Sequence, residues 1–274
     1  MTRQHGVRQL SERDVQLLRF IGEQALVTIP QLAYMTGRSE RTARWLRTRW
    51  ERTGFAEGEK FSVEGPTVIW ATGPGLTLAD LPFTTVRPSS AIVDRVAACV
   101  EVRLAVERHH SAASFVPYRE LSYGVRDRHA LPDALIKVDG GELALVVVQG
   151  ERLPEWRLEE RVAATKRRYA RLLVVAAPRF VDAVRRIDAE AQVVAWRWQP
   201  WKVNLPRLPL PGPSQPPVAA ETEKAEAAPT PETGAAAAAT QRPAQQPPRR
   251  RRRRRRGGHG GDRGGALAQP PRPA

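Results

Sequence analysis

A single cysteine, Cys99, excludes any disulfide within the chain and fits a reducing compartment. It lies in an apolar helical run and reads as a small core residue. Zinc has no ligand set either: the only adjacent histidines, His109 and His110, would point about 100° apart on a helix. No stretch of 18 apolar residues occurs, and the opening MTRQHGVRQLSERD has no apolar h-region. A soluble, cytoplasmic protein without membrane contacts is therefore expected. There is no Walker-type loop; Gly73-Pro74-Gly75-Leu76 reads as a turn. The Ser and His residues form no nucleophilic pattern, and no internal repeat is visible.

What the chain has in excess is positive charge. Its 44 Lys and Arg against 29 Asp and Glu give +15. Residues 203–274 carry 13 basic and five acidic side chains, so eight of these charges belong to that segment and seven to residues 1–202. A basic chain favours polyanionic partners. Before Lys60 every Lys or Arg is Arg, the better fork for phosphate and base edges.

The N-terminal third reads as three helices and a hairpin. Ser11 and Asp14 form a capping-box pattern ahead of Val15, Leu17, Leu18 and Ile21 at helical spacing. A second helix starts near Pro30 and stops at Gly37. Ser39 caps a third, 40–53, closed by Gly54. Extended runs at 55–61 and 67–71 then flank a Gly65-Pro66 turn. Helix, helix, helix, hairpin is the order of a winged helix, and residues 1–85 are assigned to one.

The third helix has the composition of a DNA-reading element. Ala43, Leu46 and Trp50 supply one apolar face, and Arg41, Arg44 and Arg47 recur at a spacing of three with Thr42 beside them. Ser39 sits at the positive helix end, and Lys60 with the turn at Glu64–Pro66 would approach the DNA backbone or minor groove. An arginine stripe can equally be a solvated face. Helix-in-groove docking suits B-form duplex DNA better than the deep groove of A-form RNA. Winged-helix proteins often dimerise, which leaves a homodimer open, although no heptad pattern is present.

Residues 88–202 read as a small α/β domain. A helix over 89–109 precedes strand-like runs at Phe115–Leu121 and Pro132–Lys137. Strand Glu142–Val148, helix Trp156–Tyr169, strand Arg171–Ala176, helix Arg179–Ala189 and strand Gln192–Trp198 then alternate, implying a mainly parallel sheet. Pro132-Asp133, followed after a gap by a strand, has the layout of a restriction-endonuclease-like site, where Asp/Glu-x-Lys on that strand helps hold Mg²⁺ and activate water. Here the strand ends Val146-Val147-Val148-Gln149-Gly150-Glu151, with valine in the acid position and Gln149 near the next. Asp133, Glu142, Gln149, Glu151 and Lys166 are the remnant candidates, Lys166 as a migrated positive charge, and no cofactor is assigned unless Mg²⁺ under a nuclease reading. Asp133 can also be a strand-entry turn residue, and Asp139 before two glycines is a turn.

From SERDVQLLRFI and LVTIPQLAYMTGRSERTARWLRTRWERTG through the hairpin, LPDALI, the apolar strand and Lys166 with Tyr169 in TKRRY, the chain resembles the replication-relaxation family of actinobacterial plasmids and mobile elements. The resemblance spans roughly residues 10–200. It implies a winged helix joined to a PD-(D/E)xK-like domain and a role in plasmid replication, transfer or its control. It departs where the family has Glu-x-Asp on the strand, which argues against catalysis.

Residues 203–274 are Pro-, Ala-, Gln-, Gly- and Arg-rich and are expected to be disordered, since little apolar surface offsets an ordering cost of about 1–2 kcal/mol per residue. Arg249, Arg250, Arg251, Arg252, Arg253, Arg254, Arg255 and Arg256 form one run before an RGG-like end. Such a run would bind duplex DNA sequence-blind, with a log-log salt slope of roughly −7; it can also be a neutral compositional run. The expected fold class is thus α/β (α+β overall), with double-stranded DNA as partner. The expected function is that of a nucleoid- or plasmid-associated regulator or accessory factor in replication or transfer. Two alternatives stand: a Mg²⁺-dependent nuclease or nickase, and an adaptor for a replication or mobilisation protein, for which Trp156, Trp196, Trp198 and Trp201 would be interface candidates.

Overall fold

The computed structural model describes residues 10–149 and 153–210. The chain is mixed α/β, with two sheets joined by one central helix. Helix α1 (Glu12–Gln24) starts at Ser11, whose hydroxyl accepts from the Asp14 N–H while the Asp14 carboxylate takes the Ser11 N–H, closing the expected capping box. Thr28 and Gln31 build a second box at α2 (Ile29–Thr36), which ends at Gly37 in the left-handed region, φ 63°. Ser39 caps α3 (Glu40–Arg52).

Strand β1 (Val27–Thr28) and the hairpin β2 (Ala56–Lys60) and β3 (Thr67–Ala71) form an antiparallel sheet in the order β1-β3-β2. The segment Gly73–Leu78, read from sequence as a turn, is a short helix, α4, capped by Thr72. Gly75 there passes so close to the Phe55 carbonyl that a Cβ would lie 2.0 Å from its oxygen.

The second sheet follows α5 (Ser90–His109). Its strands are β4 (Ser114–Pro117), β5 (Ala134–Val138), β6 (Gly141–Val148), β7 (Leu172–Ala176) and β8 (Gln192–Ala195), hydrogen-bonded in chain order. The β4-β5 and β5-β6 pairs are antiparallel, and β6-β7 and β7-β8 are parallel. The sheet is therefore mixed rather than mainly parallel. The cause is local: Asp139-Gly140 turns the chain back at once, with Val138 opposite Gly141 and Gly140 at φ 90°, so no crossover intervenes. The run expected as a strand to Leu121 stops at Pro117 and turns into the short helix α6 (Tyr118–Leu121). Helices α7 (Glu155–Arg168) and α8 (Val181–Ile187) make the parallel connections.

Strand alternation sorts β6 onto two cores. Leu143, Leu145 and Val147 pack toward α5; Ala144, Val146 and Val148 pack with Leu158 and Val162 of α7 and Val184 of α8. A strand covered on both faces reads as an unbroken apolar run, which Leu143–Val148 is. Helix α5 is apolar on most of its circumference for the same reason: Val100 and Leu104 face the cluster of α1–α3, while Ala98, Val102 and Val106 face the sheet. Leu26, Val68 and Trp70 join that sheet-facing cluster, so the segments 1–85 and 88–202 share a core instead of folding around separate ones.

The fold also extends past its expected end. Trp196, Trp198, Leu208 and Leu210 are buried on the sheet-facing side of α5, with Leu205 packed beside them. Residues 199–210 thus lie back over the molecule as a strap. No helix among the described residues is long and apolar enough to cross a membrane.

Candidate nucleic-acid interface and the Asp133 centre

Helix α3 is held from behind. Ala43 and Trp50 are fully buried and Leu46 is packed beside them. Asp14 anchors the helix to α1: it accepts the Trp50 indole N–H at 3.2 Å and pairs with Arg49. Burial alone would raise the Asp14 pKa, but the Ser11 hydroxyl and N–H and the Arg49 charge outweigh it and hold the carboxyl below its ordinary range.

The outward face carries Arg41, Arg44, Trp45 and Arg52, all exposed, with Arg38 in the preceding turn. Arg44 pairs with Glu40 at 2.7 Å along the helix, while Arg38, Arg41 and Arg52 have no carboxylate partner among the described residues. Arg49 stacks 5.1 Å from the Trp45 ring centroid. Thr42 and Ser39 sit at the N-terminal end of this face, their hydroxyls 3.2 Å apart.

Arg47 departs from the expected stripe. It is half-buried, pairs with Glu51 at 3.0 Å and lies over Gly58 of β2. Helical geometry explains this: at about 100° per residue, Arg47 is roughly 120° around the helix from Arg41, whereas Trp45, Thr48 and Arg52 stay within about 40°. A wheel drawn on that angle finds Trp45 and Arg52, which counting in threes misses. Lys60 is exposed at the end of β2, and the loop beyond it exposes Ser62, Val63 and Glu64. Arg249–Arg256 lie outside the described residues.

The remnant candidates for catalysis do not converge. Asp133 is buried just before β5, and both of its oxygens are engaged. Oδ1 accepts from Arg95 of α5 at 3.1 Å; Oδ2 accepts from the Val147 N–H at 2.7 Å and from Arg161 of α7. Arg161 also donates to the Val147 carbonyl at 3.2 Å. Glu142 is four residues farther along the hairpin, roughly 13 Å away, and pairs with Lys137 at 3.8 Å. Gln149 is a brace: its amide donates to the Trp196 carbonyl at 2.9 Å and accepts from the Trp198 N–H at 3.2 Å. Lys166 points to the far end of α8, binding Asp188 and Glu190 at 3.3 and 3.0 Å. The positive charge that reaches Asp133 from α7 is Arg161, not Lys166. Glu151 lies outside the described residues.

This donor set does not fit Mg²⁺. A divalent cation needs free carboxylate oxygens, and here two guanidinium groups already occupy one carboxylate and would repel a second positive centre. Among the described residues no group of three acidic, His or Cys side chains comes together. Cys99 packs under this centre, its sulfur 3.9 Å from the Asp133 carbonyl, and burial drives its thiol pKa far above the ordinary value.

A second buried carboxylate escaped sequence reading. Glu101 of α5, 1% exposed, accepts from the Asn204 N–H at 2.8 Å, the Trp198 indole at 3.1 Å and the Gln31 amide at 3.3 Å. It ties α2, α5 and the strap together, and burial raises its pKa to about 7 against the restraint of these three donors. The available signal was a carboxylate set inside the apolar stretch 96–102.

No protein-family model, curated protein or solved structure matches this chain.

Proposed function

We propose that this protein binds duplex DNA through an N-terminal winged helix, with α3 entering the major groove and the β2-β3 hairpin as the wing. The element order α1-β1-α2-α3-β2-β3 and the sheet order β1-β3-β2 support that reading. The observation that carries it is the outward face of α3, where Arg41, Arg44 and Arg52 project while Ala43 and Trp50 pin the opposite face. Arginine matches guanine edges and phosphates alike.

The α/β part is then a restriction-endonuclease-like scaffold that serves structure instead of cleavage. A helix, three antiparallel strands, a helix and a parallel strand give the order such a scaffold requires, and the Asp133 ion pairs stand where metal would be held. With the resemblance to the replication-relaxation family, this favours a cytoplasmic regulator or accessory factor acting on plasmid or mobile-element DNA.

The test is selection of the full chain against a random duplex library in about 0.3 M salt, where tail-driven binding is suppressed, with Mg²⁺ present and products run on a denaturing gel. Enrichment of one motif with intact DNA is expected. Cut DNA, abolished by Asp133→Asn, would establish the nuclease reading instead. Failure to enrich any motif would favour the adaptor reading, to which exposed Trp156 and Trp201 lend their surface.

A further inference from the structure

A cavity of about 470 Å³ opens between the C-terminal end of α1, the segment joining α4 to α5, α5 itself and the α6 region. Its size is that of a small-ligand site. Two features define what it would hold. Its lining is largely apolar: Phe83 and Tyr123, edge to face at 5.9 Å, border it together with Ile92 and Val96 of α5.

Its charge is positive. Arg95, Arg119 and Arg128 line it, against two carboxylates, Glu23 and Asp133. Each of those carboxylates is also held by an arginine that is not part of the cavity lining: Glu23 by Arg103 at 2.8 Å, Asp133 by Arg161. Among the described residues, the hydrogen bonds of Arg119 and Arg128 go to backbone carbonyls, those of Gly22 and Thr84 for the former and of Val125 for the latter. The Arg119 guanidinium also lies over the Phe83 ring, 4.7 Å from its centroid.

From these we infer that the cavity is a binding site for a small aromatic organic anion. The ring packs among Phe83, Tyr123, Ile92 and Val96, and the anionic group faces Arg95 and Arg128. This site is separate from the α3 face and does not depend on DNA binding.

The probe is 8-anilinonaphthalene-1-sulfonate, titrated by fluorescence into the full chain in about 0.3 M salt, which screens the C-terminal arginines. One saturable site is expected, with Kd in the range of roughly 10–100 μM for a ligand of about twenty heavy atoms. Arg128→Ala should weaken it roughly tenfold, and Ile92→Trp, at a half-exposed wall position, should abolish it while leaving the circular dichroism melt intact. If Ile92→Trp disturbs the melt, Val96→Phe serves the same purpose. Uncharged N-phenyl-1-naphthylamine should bind at least tenfold more weakly. Absence of saturable binding, or binding that none of the variants changes, overturns the proposal; so does equal affinity for the uncharged probe.

Discussion

Arg161 of α7 and Asp133, just ahead of β5, meet on the same carboxylate oxygen that accepts the Val147 N–H of β6. One buried charge thereby joins a helix, a strand and the entry to a second strand, and Arg95 closes the other oxygen from α5. These side chains form a lock. Removing the carboxylate would leave two arginines and a backbone N–H without their partner, and breaking a buried pair from one side costs about 3 kcal/mol or more. Asp133→Ala should therefore lower Tm by roughly 6–12 °C in a thermal melt. Adding Mg²⁺ or EDTA should shift the wild-type melt by less than about 1 °C. A Mg²⁺-dependent rise in Tm that Asp133→Asn removes would show a metal site instead.

On α3 the geometry ranks the arginines. Among the described residues Arg41 has no carboxylate partner, and Arg44 has an exposed i,i+4 pair worth about 0.5 kcal/mol. In the proposed DNA-binding role, either can turn to DNA at little cost. Arg41→Ala or Arg44→Ala should each cost about 1–3 kcal/mol of specific binding. Arg47→Ala should change affinity less than threefold, because Arg47 is committed to Glu51 and the β2 backbone. Anisotropy titrations on a selected site check the order; an Arg47 effect equal to that of Arg41 would mean that a different face reads the DNA.

The elements legible in the sequence are those written locally. Ser11, Thr28 and Ser39 announce helix starts, Gly37 marks a stop, and β6 declares its double burial by its composition. What escaped depends on long-range contacts. Nothing near Asp133 in sequence names Arg95 or Arg161, 38 and 28 residues away. The antiparallel β5-β6 pair follows from the two-residue turn at Asp139-Gly140, whose hairpin meaning is outweighed in the reading by the strand-helix alternation after it. Helix α4 is hidden by Gly-Pro-Gly, residues that signal a turn unless the first turn of a helix, where Pro is tolerated, is considered.

The strap was missed because it runs into the Pro-, Ala- and Arg-rich segment and was counted with it. Yet Leu208 and Leu210 alternate with Pro209 so that both leucines fall on the core side, 9% and 8% exposed. Leu-to-Ala truncations in buried positions cost about 2–5 kcal/mol each. Leu208→Ala should sit near the lower bound, since the strap can relax at one edge of the core. The double variant with Leu210→Ala should lower the urea midpoint more than either single change. A chain whose stability is unaffected by both would mean that residues 199–210 contribute nothing to the fold.

Glu101 gives the stability a pH dependence of definite sign. Its pKa in the folded chain is raised to about 7 from an ordinary 4.5, so between those values the folded state holds a proton that the unfolded state has released. Stability therefore falls as pH rises from about 4.5 to about 7 and is level beyond, and the Glu101 share of the fall is on the order of 3 kcal/mol. Asp14 works oppositely and lower: its depressed pKa adds stability above the ordinary carboxylate range, lost as pH falls through the folded-state value. Urea melts across pH 4.5–8 separate the two. In Glu101→Gln the decline between 4.5 and 7 should flatten, while overall stability drops because the amide NH₂ takes the place of one oxygen and faces a donor there, the Asn204 N–H at Oε2 or the Gln31 and Trp198 groups at Oε1. A decline that persists unchanged in that variant would assign the titration to another group and leave Glu101 ionised within its three hydrogen bonds.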